Sequence, residues 1–249
     1  MNSPIVSIIT PSFNCSESIT KTIESVLAQT YSDWEMIIAD DCSSDASVEV
    51  IQQYVDKDTR IRLIRRQWNG GPAVTRNRAI DAAKGRFIAF LDADDAWHPE
   101  KLAKQIAFML TTESALTYTG YGRIHQNGHK LGTMKVPASV SYNDILRTNS
   151  IGCLTACYDT QKLGKVFMPN IAKRQDLALW LKILKKTDRA FGIQESLADY
   201  YVGVSSVSAN KITAAKYQWR VYREVEKLSL INSVFYFSCY ALQAIKNRL

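Results

Sequence analysis

The chain has 249 residues, of which 46% are hydrophobic and 22% charged, a composition that supports a packed core and excludes a generally disordered protein. The 31 Lys and Arg residues outnumber the 24 Asp and Glu residues, and the formal net charge of +7 favours an anionic partner such as a phosphorylated substrate or an anionic membrane surface. No arginine-rich run or basic helix is present, so we do not expect nucleic acid as a partner.

Strands and helices alternate over the first 110 residues. Four β-rich apolar runs occur at 4–12, 34–41, 60–66 and 86–92. A helical pattern follows each run. The apolar residues of the first, second and fourth helices are, in order, Ile19, Ile23, Val26 and Leu27; Val48, Ile51 and Val55; and Leu102, Ile106, Met109 and Leu110. The third helix is expected within 71–85 with Gly85 just past its end, and Pro99 opens the fourth. This alternation predicts an α/β fold, a mostly parallel sheet with helices on both faces.

The remainder of the chain is less regular. We predict a strand at 115–124, a hairpin turn at Asn127-Gly128, an amphipathic helix at 174–186 and a late strand at 196–206. One or two helices follow at 212–247. The architecture we expect is one domain, residues 1–211, with a C-terminal helical appendage, residues 212–249.

The appendage contains an uncharged stretch. Residues 228–245 carry no charge and lie between Lys227 and Lys246, a length near the lower limit for a membrane span. Several polar residues interrupt the stretch, so we predict an apolar helix that either packs on the domain or lies on a membrane surface. Five scattered cysteines favour a reducing compartment, and the N-terminus does not resemble a signal peptide.

Polar residues follow three of the predicted strands, at 10–14, 40–45 and 92–95. Ligands of parallel sheets bind beyond the carboxyl ends of the strands, where these residues would meet. On an extended backbone Asp92 and Asp94 point the same way, and two adjacent carboxylates require a neutralising partner. A Mg²⁺ or Mn²⁺ ion that also binds a diphosphate meets this requirement. The alternative is a solvated turn in which Asp94 or Asp95 caps the next helix.

Asp41 lies at the end of the second strand. Its carboxylate can accept the imide N–H of uracil, while the ring of Phe13 packs near the base. The alternative is a turn that caps the following helix, and this alternative is stronger for Ser44 and Asp45 than for Asp41.

A glycine-rich turn at 69–79 opens the third helix. Glycines permit close approach of a phosphate to a helix N-terminus, but a plain helix entry is the simpler interpretation of Gly70 and Gly71. Arg76 and Arg78 lie deeper in this helix, where they either bind phosphate or are solvated.

Asp176 lies in the first turn of the helix predicted at 174–186. The helix dipole alone stabilises an acid at this position. If the N-terminus of this helix points into the cleft, Asp176 can instead take a proton from an attacking hydroxyl group.

Several motifs, taken together in one order, resemble the second family of glycosyltransferases with the GT-A fold, over roughly residues 4–211. The bacterial enzymes that build teichuronic acid, capsule or O-antigen are the most similar in pattern. The motifs are "VSIITPSFN", "EMIIADDCSSD", "GPAVTRNRAI", "FIAFLDADDAWHPEKL" and "RQDLALWLKI".

The resemblance implies a UDP-sugar donor, a divalent metal (Mn²⁺ or Mg²⁺) and inversion at the anomeric carbon. The metal site of the family, an Asp-x-Asp element, maps onto Asp92 and Asp94. Asp94 would bind the metal, and Asp92 would contact the ribose or a metal-bound water.

The resemblance also assigns the base pocket and the catalytic base. The uracil-binding acid of the family maps onto Asp41, and Thr10, Pro11 and Phe13 would line the base pocket. The catalytic base, the Asp of a Glu-Asp pair, maps onto Asp176.

Two departures from the family pattern accompany this assignment. Gln175 stands where the pair has Glu. Tyr201 stands where an Arg often precedes a segment that closes over the diphosphate; this segment would include Ser205, Ser206, Ser208 and Lys211.

We therefore expect a transferase that uses a lipid-linked saccharide acceptor, in the cytoplasm or at the cytoplasmic face of the bacterial inner membrane. Two alternatives are a nucleotidyltransferase acting on a sugar phosphate and a membrane-surface module without enzymatic activity. The first would need a glycine-rich loop with a basic residue directly after the first strand, where this chain has residues 13–16 instead.

Overall fold

The structure, a computed structural model, describes residues 5–202 and 211–246. Their ten strands form one sheet. The strands are β1 Val6–Ser12, β2 Trp34–Asp40, β3 Ile61–Arg65, β4 Phe87–Phe90, β5 Ala96–Trp97, β6 Leu116–His125, β7 Lys130–Met134, β8 Ser139–Val140, β9 Cys157–Asp159 and β10 Ala190–Val202. The helices are α1 Ile19–Leu27, α2 Ser47–Val55, α3 Pro72–Ala82, α4 Lys101–Thr112, α5 Tyr142–Arg147, α6 Thr160–Leu163, α7 Gln175–Leu184, α8 Lys211–Arg220 and α9 Leu230–Lys246, with a 3₁₀ turn at Cys153–Thr155 and a π-helical turn at Val221–Val225.

The first half of the sheet is parallel, in the order β3-β2-β1-β4. Ser12 pairs with Asp40, and Asp40 pairs with Arg65, so β1, β2 and β3 end level with one another. Strand β4 runs parallel beside β1, so residues 92–95 follow it at the same edge. The predicted meeting of the ends of the first, second and fourth strands at one edge of the sheet is therefore confirmed.

The second half of the sheet is mixed. Strand β9 runs antiparallel between β4 and β6, β10 runs parallel to β6, and β5, β7 and β8 are antiparallel additions. Among the described strands, β1, β2, β3, β4, β6 and β10 share one direction, which confirms the mostly parallel α/β prediction. The predicted hairpin is also present, because β6 and β7 pair across a turn at Gly128, whose φ is +89°.

Helices cover both faces of the sheet, as predicted. One core packs α3 and α7 against the sheet and contains Trp180, whose ring lies 5.6 Å from that of Phe90. The other core packs α1, α2 and α4 and contains Trp34 and Ile23. Apolar residues therefore enclose β1, β2 and β4 on both sides, and only their carboxyl ends open to solvent.

Two details of the helix predictions need correction. Helix α3 ends at Ala82 and Ala83 is already extended, so Gly85 is not a helix cap. A Cβ atom on Gly85 would lie 2.5 Å from the backbone nitrogen of Ser7, which explains the glycine as a close approach to β1. Leu110 is 49% exposed and does not share the buried face of α4.

The C-terminal helices pack on the domain. Val221 and Tyr222 are fully buried in the same core as Trp180, and Tyr236 and Phe237 of α9 pack against that core. Among the described residues, no helix has both the length and the hydropathy that crossing a membrane requires. Of the predicted diphosphate-closing segment, Ser205, Ser206 and Ser208 lie outside the described residues, and Lys211 begins α8.

Candidate active site

A cavity of about 930 Å³ opens at the carboxyl edge of the parallel strands. This volume lies in the range of small-molecule sites, about 300–1,000 Å³. All of its lining residues but one come from the first 94 positions. They are Pro11 to Ser18, Asp41, Asp45, Asn69, Gly71, Pro72, Thr75, Arg76, Asp92, Ala93, Asp94 and Gln126.

The cavity brings together five of the predicted site residues: Pro11, Phe13, Asp41, Asp92 and Asp94. The ring of Phe13 is about half exposed. Thr10 and Asp176 are not among the lining residues. Thr10 is fully buried within β1, because both faces of this strand are covered, and its place in the base pocket stays a prediction.

Asp41 is almost completely buried and is held by three donors. Arg66 forms an ion pair with Oδ1. The amides of Gly70 and Gly71 donate to Oδ1 and Oδ2 at 3.0 and 2.8 Å. The glycine-rich turn therefore directs these two amides at a carboxylate of the protein. This arrangement supports the plain helix-entry interpretation of the two glycines.

Arg76 and Arg78 differ sharply although both belong to α3. The guanidinium of Arg76 is buried and pairs with Asp92. Burial opposes the charge, but the carboxylates of Asp92 and Asp176 raise the pKa of Arg76. Arg78 is exposed, and its nearest carboxylate oxygen, on Asp81, is 3.9 Å away. Only Arg76 belongs to the site.

Residues 92–98, here called the acid segment, connect β4 to α4 and do not begin as an extended strand. The amide of Asp95 donates to the carbonyl of Asp92 at 3.1 Å, which closes a turn around Asp94. The extended-backbone argument for Asp92 and Asp94 is therefore wrong, but the turn directs both residues to the same cavity.

The two later acids of this segment have different surroundings. Asp94 is open to the cavity, whose walls remove part of its hydration; this loss and the neighbouring Asp92 raise the pKa of Asp94. Asp95 is buried and accepts a hydrogen bond from the amide of Tyr201 at 3.1 Å. Neither acid caps α4, whose N-cap position is occupied by Glu100, so the capping alternative is wrong.

Ala46 occupies the N-cap position of α2, and Asp45 supports this helix start from one residue before it. Its Oδ1 accepts the amide of Ser47, in the first turn of α2, at 3.0 Å. Its Oδ2 accepts the amide of Ser16 at 3.1 Å, which joins α2 to the cavity wall. Desolvation raises the pKa of Asp45, but these hydrogen bonds lower it further, to about 2.

Asp92 and Asp94 fit a divalent cation that completes its coordination with a ligand. No group of three or more His, Cys, Asp or Glu side chains with metal-binding geometry occurs within residues 5–202 and 211–246. Magnesium-type ions, however, are commonly bound by one or two carboxylates plus the oxygens of substrate phosphates. Asp94 opens to the cavity beside Asp92, and Arg76 already offsets part of the charge of Asp92.

Asp176 lies in the first turn of α7, as predicted, but outside the lining of the cavity. Asn149 donates to its Oδ2 at a long 3.4 Å. The preceding Arg174 adopts a left-handed φ of +65°, and its guanidinium donates to the hydroxyl of Tyr240 in α9 at 3.0 Å. Asp176 is nevertheless near the cavity, because its charge acts on Arg76, which lines it.

Arg66, Asn69 and Gln126 are among the residues in or next to the cavity that the sequence predictions did not include. Arg66 directly follows β3, so the strand-end reasoning that selected Asp41 applies to it as well. Asn69 lies in the glycine-rich turn. Gln126 lies at the tip of the β6–β7 hairpin, and no local sequence signal places that tip over the cavity.

Comparison with known proteins identifies the family. Residues 7–161, more than half of the chain, match the model of glycosyl transferase family 2. The chain belongs to glycosyl transferase family 2. It is therefore a glycosyltransferase, and this assignment decides against both the nucleotidyltransferase and the module without enzymatic activity.

Two relatives extend along almost the whole of this glycosyltransferase. It is 46% identical to the glycosyltransferase TuaG of Bacillus subtilis (strain 168), which is named for teichuronic acid biosynthesis, over 99% of this chain and 98% of TuaG. It is 37% identical to WfgD of Escherichia coli, named UDP-Glc:alpha-D-GlcNAc-diphosphoundecaprenol beta-1,3-glucosyltransferase, over 99% of this chain and 96% of WfgD.

A solved structure supports the GT-A fold of this glycosyltransferase. The mannosyltransferase PcManGT of Pyrobaculum calidifontis, solved with GDP-Man and Mn²⁺, superimposes with a TM-score of 0.73 at 16% identity. The match covers 98% of this chain and 74% of PcManGT. At this identity the likeness concerns the fold alone.

Proposed function

We propose that this glycosyltransferase transfers a sugar from a UDP-sugar to a lipid-linked saccharide acceptor during synthesis of a cell-envelope polysaccharide, with inversion at the anomeric carbon. The observation that carries the proposal is the joining of Asp41, Asp92 and Asp94 in one cavity, with Asp176 on a separate element nearby. The names of TuaG and WfgD support the polysaccharide, the UDP-sugar and the lipid-linked acceptor.

The nucleoside end of the donor lies between the first and second strand ends. Asp41 accepts the imide N–H of uracil, and its orientation is fixed in advance by Arg66 and the two glycine amides. The half-exposed ring of Phe13 packs on the base, with Pro11 beside it. Asp92 contacts the ribose or a metal-bound water. Because Arg66 and the two glycine amides already hold the carboxylate of Asp41, it loses little side-chain freedom when it binds the base.

The diphosphate end lies against the acid segment. Asp94, assisted by Asp92, would hold Mn²⁺ or Mg²⁺. A bound divalent cation stabilises the negative charge that a diphosphate leaving group gains. Arg76 keeps Asp92 in place through their ion pair and contributes positive charge to the same wall.

Asp176 is the general base that takes the proton of the attacking acceptor hydroxyl. The N-terminal turn of α7 and the side-chain Nδ2 of Asn149 stabilise its carboxylate. Inversion requires one base on the face opposite the leaving group, and Asp176 lies on a different element from the acid segment. Gln175, which replaces the usual Glu, does not carry the proton.

The C-terminal helices, residues 212–249, form the appendage that holds the enzyme at an anionic membrane surface, and residues 1–211 form the GT-A domain. Helix α9 presents an exposed apolar stripe, which consists of Leu230, Ile231, Val234, Phe235 and Leu242. Exposed Lys216, Arg223 and Lys227 precede the stripe and suit anionic headgroups. A lipid-linked acceptor is accessible to such an enzyme at the cytoplasmic face of the inner membrane.

A panel of UDP-sugars, each with and without Mn²⁺, tests the proposal by UDP release, and NMR of the product reports the anomeric outcome. We expect metal-dependent release from one or a few donors and an inverted product. Asp94→Ala should remove the metal-dependent release, whereas Asp188→Ala, at an exposed acid outside the cavity, should keep it. Full activity of Asp94→Ala would contradict the metal assignment, and a retained anomer would contradict the single-base mechanism.

A further inference from the structure

Three polar side chains of α1 and its C-terminal extension bind the main chain of the acid segment and the start of α4. Thr22 Oγ1 donates to the carbonyl of Asp95 at 2.7 Å. The amide of Trp97 donates to Ser25 Oγ at 3.1 Å.

Gln29 contributes both ends of its amide. Its Nε2 donates to the carbonyl of His98 at 2.8 Å, and its Oε1 accepts the amide of Leu102 at 3.0 Å. These two hydrogen bonds join the end of the acid segment to the first turn of α4.

The spacing of these residues suits a common task. Thr22, Ser25 and Gln29 are three and four residues apart, so they follow one face of the helix. Thr22 is fully buried and Gln29 is nearly so, although both are polar. A buried polar group is costly unless it is hydrogen-bonded, and each of the three has a partner on one short segment of backbone, although Ser25 and Gln29 also donate to carbonyls of α1 itself.

The opposite side of the acid segment is held by β10. The amide of His98 donates to the carbonyl of Leu197 at 3.0 Å, and Asp95 accepts the amide of Tyr201. Helix α1 and strand β10 thus clamp the backbone on which Asp94 stands. Residues 15–18, just before α1, also line the cavity, so α1 connects two of its walls.

We infer that Thr22, Ser25 and Gln29 are positioning residues that hold the acid segment in the conformation in which Asp92 and Asp94 face the cavity. The inference rests on the proposed function for the role of the two acids. None of the three residues lines the cavity. Their effect is to reduce the freedom that the acid segment would otherwise lose when it binds a cation and a diphosphate.

Hydrogen exchange of the protein without metal or nucleotide gives the first test. We expect Thr22→Val and Ser25→Ala to accelerate amide exchange across residues 92–98, most clearly for the Trp97 amide in Ser25→Ala. Thr119→Val is the matched control, since it removes another buried threonine hydroxyl, one bonded to the carbonyl of Gly120. Unchanged exchange in Thr22→Val and Ser25→Ala would overturn the inference.

Calorimetry of UDP binding with and without Mn²⁺ gives the second test. Mn²⁺ should raise the UDP affinity of Thr22→Val about tenfold less than it raises that of the wild type, because the loss of one buried hydrogen bond has this magnitude. The UDP affinity without metal should be unchanged. Thr22→Ser, which keeps the hydroxyl, should retain the gain. An equal gain in Thr22→Val and wild type would refute the positioning role.

The two tests distinguish this inference from the proposed function. If Mn²⁺ gave no gain in the wild-type protein, the metal part of the proposed function would fail. The exchange experiment would still decide whether α1 holds the acid segment.

Discussion

The two halves of the sheet build the site in different ways. In the parallel half, the paired ends of β1, β2 and β3 bring residues that are far apart in the chain to one edge, and these residues form nearly all of the cavity wall. The mixed half contributes Gln126 at a hairpin tip and Asp176 at a helix N-terminus. The pairing register of the strands therefore positions the residues of the cavity wall, whereas side-chain contacts position Asp176, the proposed base.

The contacts of Asp176 illustrate the difference. Asp41 is held by two backbone amides and the partly buried Arg66, but Asp176 has a long hydrogen bond from Asn149. The start of its helix depends on Arg174 and its contact with Tyr240 in α9. Substitutions in the two halves should therefore separate donor binding from transfer, and the following predictions test this separation in order of decreasing effect.

Asp176→Asn should give the largest effect. We expect kcat to fall by roughly 10²–10⁴, because the amide cannot accept the proton of the acceptor hydroxyl. UDP affinity measured by calorimetry should stay the same, since Asp176 does not line the cavity. Lost UDP binding would mean that the two halves are not separate and that Asp176 is not the base.

Arg76→Met should weaken the donor half itself. Removing the partner of the partly buried Asp92 should lower the free energy of unfolding by about 3 kcal/mol, measured with urea. UDP affinity should fall as well, because the positive charge of one cavity wall is lost. Arg78→Met, on the exposed face of the same helix, is the matched control and should change neither quantity. Equal effects of the two substitutions would contradict the assignment of Arg76 to the site.

Lys101→Met should stabilise the protein. Lys101 is fully buried, its Nζ has no hydrogen-bond partner within the described residues, and it lies 3.6 Å from the ring centroid of Trp97. Burial lowers the pKa of Lys101 to about 7. The substitution removes the cost of burying this charge but also removes its contact with Trp97. We therefore expect the free energy of unfolding to rise by about 2 kcal/mol at pH 6, which corresponds to about 5 °C in the unfolding midpoint.

The gain should depend on pH. Between pH 7 and the ordinary pKa of lysine, 10.5, the unfolded chain binds a proton that the folded protein does not, so wild-type stability rises with pH. The advantage of Lys101→Met should thus be complete below pH 7 and shrink towards pH 10. Scanning calorimetry at pH 6 and pH 9 measures it, with the exposed Lys84→Met as control. A constant advantage would show that the charge of Lys101 is not its cause.

Substitution of the apolar stripe of α9 should give the smallest effect. The double change Ile231→Ser and Phe235→Ser should reduce binding to anionic vesicles about tenfold in co-sedimentation, because two large apolar side chains no longer enter the interface. UDP affinity should be unaffected. Leu110→Ser, at an exposed leucine of α4, is the control. Unchanged vesicle binding of the double variant would mean that α9 is not the attachment surface.

The difference between the two halves also explains which predictions from sequence succeeded. The elements up to α4 follow strong apolar periodicities, and a parallel sheet places their strand ends together, so Asp41, Asp92 and Asp94 were found from local pattern alone. Beyond residue 115 several elements are very short, although β6, β10 and α9 are not. Strand β8 has two residues, and such a strand is defined by its pairing with β10 more than by its own sequence.

The sequence does not show those features of the site that burial or tertiary contact decides. Thr10 lies next to the cavity-lining Pro11 in the chain, but the closed faces of the sheet bury it. Gln126 reaches the cavity only because β6 and β7 project their turn over it. Gly70 and Gly71 were correctly interpreted as a helix entry, but their bonds to Asp41 depend on a contact across about thirty residues of chain, which no local pattern shows.

The three donors around Asp41 have a consequence for which nucleobase the pocket accepts. Oδ1 already receives Arg66 and Gly70, and Oδ2 receives Gly71, so the donors of residues 5–202 and 211–246 leave the carboxylate one unoccupied lone pair. Uracil offers a single imide donor and matches that vacancy. Guanine presents two neighbouring donors on its Watson–Crick edge, and one of them would be left unsatisfied. In the proposed function, selectivity for uridine over guanosine donors thus follows from the three hydrogen bonds that Asp41 already accepts from the protein.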